Sequence, residues 1–294
     1  MGEPQLVTAW REQGEFLTVA GHELFVVEQG SADAPVLVLL HGFPGSSFDW
    51  RLVMEALAPR WRVLAFDFLG YGLSPKPDQA YSLFAQADLV SELLALKGVE
   101  RAVMVAHDMG DTVAAELLAR SNEGSSSDGA GVEWLACVLT NGSIFIDMAQ
   151  LTTGQQTLLA LPDERLADSL GADGMAAGLQ VSFPPGRPSP EEMEAMVALI
   201  LHDGGDQLLP RTIRYIEERR AHQPRFTAGL VDFPGRVIVA WGDLDPIAVP
   251  AMADKLTALR LATGNDVELI HWPDIGHWPS VEDPELVAGL LADL

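Results

Sequence analysis

The chain has 294 residues, 48% of them hydrophobic, so it is too apolar for a disordered protein and long enough for one large domain or two ordinary ones. Its 42 acidic and 18 basic side chains give a formal net charge of −24, which excludes an electrostatic field suited to nucleic acid or to anionic membranes. No apolar run approaches the roughly 18 residues of a membrane span, and the single cysteine, Cys137, excludes an internal disulfide, so we expect a cytoplasmic protein that does not bind membranes.

The first predicted elements are a hairpin and then a buried parallel sheet. Residues 15–28 alternate apolar and polar side chains around Gly21-His22, which predicts a hairpin. Short continuous apolar runs, typical of strands buried on both faces, follow at 36–40, 63–66, 102–106, 135–139 and 237–240, and the last strand is expected at 267–270. Apolar residues at helical spacing lie between them at 46–57, 82–96, 112–120 and 251–261. This alternation predicts an α/β fold with a mostly parallel, doubly wound sheet.

The alternation of strands and helices breaks in the middle of the chain. Helix-like segments at 191–201 and 209–220 follow one another without a strand between them. We therefore predict a core domain of residues 1–142 and 227–294, and a helical cap of residues 143–226. A Gly/Ser-rich stretch, 121–131, is predicted to be a surface loop.

One aspartate lies at a predicted strand-to-helix turn. Asp108 follows the run 102–106 and precedes the helix, with the small residues Ala106 and Gly110 two positions to either side. Small neighbours are needed because such a turn crowds the backbone. The pattern predicts a nucleophile elbow with Asp108 at its apex.

Two further residues complete a possible triad. Asp245, in Gly242-Asp-Leu-Asp-Pro, follows a predicted strand, and His277 follows the last one. Sites on open parallel sheets gather at such strand ends, and the order nucleophile, acid, base is the one a hydrolase requires. Asp243 is the alternative to Asp245 for the acid that orients His277.

Together with His41-Gly42-Phe43-Pro44 and the segment 67–74, these motifs resemble the α/β-hydrolase superfamily over essentially the whole chain. The resemblance implies an inserted helical cap and an oxyanion hole formed by the backbone N–H groups of Phe43 and Met109. Around Asp108, Arg214-Tyr215-Ile and Gly242-Asp-Leu-Asp-Pro the chain looks most like the epoxide-hydrolase-like branch, and especially like the mesoderm-specific-transcript-like hydrolases.

An aspartate nucleophile narrows the range of reactions that the protein could catalyse. A carboxylate is ionised at neutral pH and attacks an electrophilic sp³ carbon without a base, which gives an ester. His277, oriented by Asp245, would then activate the water that hydrolyses this ester. Epoxides and haloalkanes both fit this scheme and differ in the leaving group.

An epoxide oxygen needs a proton donor, which cap tyrosines supply in the family that the chain resembles. Tyr215 lies in the context of one of the family's two cap tyrosines, and the second is missing. We predict an epoxide hydrolase with Tyr215 as the ring-opening acid and a small apolar substrate. A haloalkane dehalogenase is the alternative, although Met109 and Phe43 stand where such enzymes usually carry halide donors. A ligand-binding or regulatory protein with little turnover is a further alternative.

Other residues have predicted supporting roles. His41 and His107 are expected to brace the site by hydrogen bonds, and Trp241 and Trp278 to be either core residues or part of an apolar pocket. The remaining histidines show no metal-ligand spacing, and no nucleotide-binding loop is present. We expect no cofactor and no metal, only substrate and water as partners, and a monomer or a homodimer.

Overall fold

The structure is a computed structural model that describes residues 2–124, 131–292 and 294. Residues 125–130, which form most of the predicted surface loop, lie outside the described residues. Eight strands form one sheet in the order β1-β2-β4-β3-β5-β6-β7-β8. They are β1 (Gly14–Val19), β2 (His22–Gln29), β3 (Val36–Leu40), β4 (Arg62–Phe66), β5 (Arg101–His107), β6 (Glu133–Thr140), β7 (Arg236–Gly242) and β8 (Val267–Trp272).

The pairing of the strands confirms the predicted α/β fold. β1 and β2 form the predicted antiparallel hairpin, and β2 also runs antiparallel to β4. All other neighbours from β4 to β8 are parallel. The apolar runs of β3, β4, β5 and β7 are almost entirely buried, because helices cover both faces of the sheet. The edge strand β8 is only partly buried, and Leu135 of β6 is exposed.

Helices cover both faces of the sheet, and a further group of helices lies in the segment between β6 and β7. One face of the sheet packs against α3 (Leu83–Leu96), α4 (Met109–Asn122), α10 (Gln223–Asp232) and α11 (Ala251–Thr263). The other face packs against α1 (Gln5–Arg11), α2 (Arg51–Leu57), α12 (Pro279–Glu282) and α13 (Pro284–Ala292). Short 3₁₀ helices occur at Ser47–Trp50, Ile146–Met148 and His202–Leu208. Among the described residues, no helix is both long enough and apolar enough to cross a bilayer.

Between β6 and β7 the chain forms helices and no strand. We call residues 143–232 the insert. Its helices are α5 (Thr153–Ala160), α6 (Ala172–Gln180), α7 (Pro190–Leu201), α8 (Leu209–Thr212), α9 (Tyr215–Ala221) and α10. The domain boundary predicted at residue 226 falls inside α10, which packs mainly on α4 of the core and less on α9 of the insert.

The packing of α10 on α4 depends on a glycine. A Cβ atom at Gly229 would lie 2.1 Å from the carbonyl oxygen of Ala115 and 3.0 Å from the amide nitrogen of Ala119. Both atoms belong to the backbone of α4, so the helices could accept a side chain only by separating. This close approach fixes the end of the insert to the core.

We expect Gly229→Ala to lower the free energy of unfolding by about 1–3 kcal/mol, as overpacking of a tight interface does. Gly289→Ala in α13 is the matched control, because nothing lies within 4 Å of its added Cβ. Alanine favours a helix over glycine, so the control should gain about 0.4–1 kcal/mol. Urea denaturation measures both values. Equal changes of the same sign in the free energy of unfolding of the two variants would contradict the prediction that this helix contact excludes a side chain at position 229.

Candidate active site

Asp108 lies at the turn between β5 and α4 and has an unusual backbone conformation. Its φ of 49° and ψ of −108° place a non-glycine residue in a sparsely populated region. The helix that follows can begin so close to the sheet because residue 110 is glycine: a Cβ there would lie 2.6 Å from the carbonyl oxygen of Leu40. The turn thus presents the carboxylate of Asp108 at the carboxyl edge of the sheet.

The carboxylate of Asp108 meets a backbone donor. The amide N–H of Phe43 donates to Oδ2 of Asp108 over 2.9 Å. Met109 is the first residue of α4, so its N–H belongs to the helix-start amides that have no partner within the helix. Of the two predicted oxyanion donors, the Phe43 amide thus contacts the Asp108 carboxylate, and Met109 directly follows Asp108 in the chain.

Asp245 holds His277, and Asp243 does not. Oδ2 of Asp245 lies 2.8 Å from Nδ1 of His277 and 2.8 Å from Nδ2 of Asn141, which donates to it. Oδ1 accepts the backbone N–H groups of residues 247 and 248. Asp243 instead pairs with His271, at 2.6 Å, near the surface. Every oxygen of the Asp245 carboxylate is thus satisfied, and one of them orients the imidazole.

The charges around His277 set its protonation. Burial alone would lower the pKa of this imidazole, but the charge and hydrogen bond of Asp245, with the charges of Asp108 and Glu282, outweigh burial and raise the pKa to about 9. At neutral pH the resting site therefore favours the imidazolium. Any event that removes the charge of Asp108 lowers this pKa and so increases the fraction of neutral imidazole.

Tyr215 packs against Phe43, the residue whose amide donates to Asp108. Its ring centroid is 5.5 Å from that of Phe43, and only 4% of its surface is exposed. Burial, together with the charge of Asp108, raises the pKa of the phenol well above its usual range. Its hydroxyl makes no hydrogen bond to any of the described residues, and Tyr215 does not line the pocket described below.

A second tyrosine reaches the site from the core. The hydroxyl of Tyr71 donates to Sδ of Met109 over 3.3 Å, and its ring lies 5.4 Å from that of His41. Burial raises the pKa of this phenol well above its usual range, so the proton stays on the hydroxyl. Tyr71 therefore packs beside Met109, although it lies outside the insert.

Arg219 is a site residue that the sequence analysis missed. It is 1% exposed and donates to the carbonyl oxygen of Asp108 over 3.2 Å, to Oγ1 of Thr112 over 2.6 Å and to the carbonyl oxygen of Ser143 over 3.0 Å. Its guanidinium carbon also lies 5.0 Å from the ring centroid of Tyr215, one helical turn earlier on α9. Arg219 therefore links the insert to the strained turn, and only its spacing from Tyr215 could have pointed to it.

Asp111 is a buried carboxyl next to the nucleophile on α4. Burial, and to a lesser degree the charge of Asp108, raises the pKa of Asp111 well above its usual range. The group is therefore held towards its uncharged form. Two neighbouring carboxyls with different environments can take different protonation states, which avoids a second buried negative charge beside Asp108.

His41 and His107 lie inside the site as neutral residues. Burial lowers the pKa of each to about 4. Nε2 of His41 accepts the amide N–H of Phe68 over 3.0 Å, and Nε2 of His107 donates to the carbonyl oxygen of His277 over 2.7 Å. Both rings thus hold loops of the site by hydrogen bonds, and neither lies within the pocket lining.

A pocket of about 90 Å³ opens between the core and the insert beside His277. Most of its lining is apolar, including Phe43, Leu158, Leu179, Leu209 and Trp278, with polar groups from Thr152, Gln155 and Ser182. Trp278, one of the two candidate pocket tryptophans, lines it. Trp241 does not: it is fully buried on β7, where its Nε1–H donates to the carbonyl oxygen of Ala248 over 2.7 Å. Within the described part of the chain, no cluster of His, Cys, Asp and Glu has metal-binding geometry.

Comparisons with known proteins agree with this architecture. Residues 37–290 match the model of the alpha/beta hydrolase family. The putative hydrolase LipZ of Mycobacterium tuberculosis is 34% identical over 285 residues, which cover 96% of this chain and 95% of LipZ. The mesoderm-specific transcript protein of Mus musculus is 33% identical over 293 residues, which cover 96% of this chain and 86% of that protein. The predicted resemblance is thus confirmed.

Shorter matches involve two kinds of named enzyme. Epoxide hydrolase A of Mycobacterium tuberculosis is 47% identical over 97 residues, or 32% of this chain and 30% of that enzyme. A haloalkane dehalogenase of Bradyrhizobium diazoefficiens is 38% identical over 102 residues, or 35% of this chain and 33% of that enzyme. Because each match spans about a third of the chain, neither decides between the two activities.

The electrostatics of the site predict a change in His277. In Asp108→Asn, one charge that raises the pKa of the imidazole is absent, so we expect a pKa below the value of about 9. Asp111→Asn is the matched control, because an uncharged carboxyl contributes little charge and the shift should be smaller. Titration of the imidazole signals by NMR measures both, and an unchanged pKa in Asp108→Asn would contradict the charge arrangement.

Proposed function

The chain belongs to the alpha/beta hydrolase family, and from this premise we propose that it opens epoxides to vicinal diols through an ester on Asp108. One observation carries the proposal. An elbow carboxylate lies within hydrogen-bond reach of the Phe43 amide, and the ring of Tyr215, whose hydroxyl is free of protein partners among the described residues, packs on the Phe43 side chain. A nucleophile that attacks carbon and a phenol that donates a proton together suit a strained ether.

In the first step, an oxygen of Asp108 attacks one ring carbon of the epoxide. A new C–O bond forms and the ring C–O bond breaks, with its electron pair left on the ring oxygen. That oxygen takes the hydroxyl proton of Tyr215, which leaves a phenolate. The imidazolium of His277 then supplies the proton that restores the phenol, so the ester state holds a neutral imidazole.

In the second step, His277 takes a proton from water as the water oxygen adds to the ester carbonyl. The N–H groups of Phe43 and Met109 stabilise the resulting oxyanion. Collapse of this intermediate expels the diol oxygen, which takes the proton from His277. Asp108 is left as a carboxylic acid, and its proton passes to His277, which restores the resting site.

The pKa of His277 fits this order of events. Esterification removes the charge of Asp108, which is one of the causes that hold the pKa at about 9. The imidazolium of His277 therefore loses its proton more easily in the ester state, in which His277 must act as a base. We expect the rate of ester hydrolysis to rise with pH through an apparent pKa below that of the resting enzyme.

Haloalkane dehalogenation is the second candidate function, and the partial match to a haloalkane dehalogenase is the observation in its favour. It would use the same Asp108, Asp245 and His277. The side chains of Met109 and Phe43 provide no N–H donor for a halide ion, and a departing halide has no need of the Tyr215 proton. These two points favour the epoxide.

The ester itself gives the first test of the function. We expect His277→Gln to accumulate an Asp108 ester with short aliphatic epoxides or styrene oxide, seen as a mass increase equal to the epoxide on the peptide that contains Asp108. Asp108→Asn should form none. In a single turnover in ¹⁸O-water, the wild-type carboxylate rather than the diol should take up the label.

Bromoalkanes and chloroalkanes tested in parallel, with halide and diol quantified, separate the candidates. Diol without halide supports the epoxide reaction, and halide release supports dehalogenation. A folded wild-type protein that gives neither product and no ester would refute both and favour a ligand-binding role.

The role of Tyr215 gives the second test. We expect Tyr215→Phe to slow ester formation from epoxides by roughly 100-fold or more, the contribution typical of a positioned acid. Tyr81→Phe is the control, since this tyrosine bonds to the carbonyl oxygen of Pro77 away from the site. Stopped-flow kinetics under single-turnover conditions measures the step. An unchanged rate in Tyr215→Phe would rule this residue out as the acid.

A further inference from the structure

The loop that carries the base is held on its core side by a carboxylate. We call residues 275–278 the base loop. Glu282 accepts the amide N–H of Gly276 over 2.7 Å and that of Trp278 over 2.9 Å, one on each side of His277. With the hydrogen bond from His107 to the carbonyl oxygen of His277, these contacts fix the core side of the base loop.

The opposite side of the base loop is held by the insert. Residues 181–189, the α6–α7 loop, pass directly over it. The carbonyl oxygen of Ser182 accepts the amide N–H of His277 over 3.4 Å. The hydroxyl of Ser182 accepts Nε1–H of Trp278 over 2.8 Å and donates to the carbonyl oxygen of Leu179 over 2.7 Å. Ser182 thus joins the base loop to the last turn of α6.

Packing reinforces these hydrogen bonds. The ring of Phe183 stacks on Trp278 with centroids 5.5 Å apart and an interplanar angle of 12°. A Cβ at Gly276 would lie 2.7 Å from Cδ of Pro184, so the two loops touch without a gap. A guanidinium nitrogen of Arg187 lies 4.0 Å from Glu282. The α6–α7 loop therefore clamps the base loop against the core.

The last turn of α6 and the start of the α6–α7 loop face the pocket. Gly178, Leu179 and Ser182 line it together with His277. Leu179 is the one buried residue of α6, and Met175 and Ala176 are partly buried against the hydrophobic core. One short stretch of the insert therefore contributes both to the wall of the pocket and to the support of the base loop.

We propose that Ser182 is a positioning residue for His277, and that the hydrolysis of the ester, rather than its formation, depends on the Ser182 hydroxyl. This inference rests on the two-step reaction proposed above. Asp108 attacks with its own lone pair, and its position is set by β5, α4 and Arg219. Activation of water, in contrast, requires the imidazole to lie within hydrogen-bond reach of the water and the ester at once.

The test compares three variants in the full-length protein. Ser182→Ala removes the hydroxyl, Ser182→Thr keeps one, and Val181→Ala changes an adjacent side chain that is 58% exposed. Ester formation and ester decay are followed separately, by rapid mixing with an aliphatic epoxide, acid quench and intact-protein mass spectrometry. Thermal unfolding verifies that each variant is folded.

We expect the decay constant of Ser182→Ala to fall roughly threefold to tenfold, the range that one lost hydrogen bond produces. Its formation constant should stay within about twofold of wild type. Ser182→Thr should restore most of the decay rate, and Val181→Ala should match wild type in both steps. Equal loss in both steps, or no loss of decay, would overturn the positioning role.

Failure of the proposed function gives a different result. If wild-type protein forms no ester with any epoxide, the reaction is wrong, and the NMR signals of the His277 ring then test the positioning role alone. We expect Ser182→Ala to shift or broaden these signals and Val181→Ala to leave them in place. Identical spectra in both variants would contradict the inference.

Discussion

The strained backbone of Asp108 is the constraint on which the rest of the site depends. A non-glycine residue with these dihedral angles costs on the order of 1–3 kcal/mol, which the surrounding structure must offset. Gly110 lets α4 start against the end of β3, and Gly42 leaves room for Cβ of Asp108. Arg219 holds the carbonyl oxygen of Asp108 from the insert. Core and insert therefore both contribute to the shape of one turn.

Burial sorts the titratable groups of this site into distinct states. His41 and His107 are kept neutral by their surroundings, and Asp111 is held towards the uncharged acid. His277 is the exception, because two aspartates and a glutamate outweigh its burial. Of these four groups, His277 is thus the one whose surroundings favour the charged form. The two neutral histidines contribute hydrogen bonds that hold loops of the site.

The sequence was informative about backbone pattern and chain order, and less so about side chains that bind the backbone. Apolar runs predicted the strands, and the order of Asp108, Asp245 and His277 predicted a triad, of which the structure shows the contact between Asp245 and His277. Arg219, Ser182 and Glu282 escaped notice because they act on backbone groups from distant segments, and such contacts leave no spacing signal. Trp241 was a candidate for the pocket because it lies close to the catalytic segments in the sequence, yet its indole turns into the core and donates to a carbonyl oxygen.

The attachment of the α6–α7 loop to the base loop has a consequence for divergence among related hydrolases. Segments like the insert are natural places to alter which molecules an enzyme accepts, because they can change while the sheet stays intact. Here, replacing the insert by that of a relative would exchange the pocket wall and half of the support of the base together. In the reaction proposed above, a chimera that gains a new substrate would form the ester but hydrolyse it slowly unless residues 275–278 and Glu282 were exchanged as well. The proposed reaction thus links the choice of substrate to the rate of turnover through this loop.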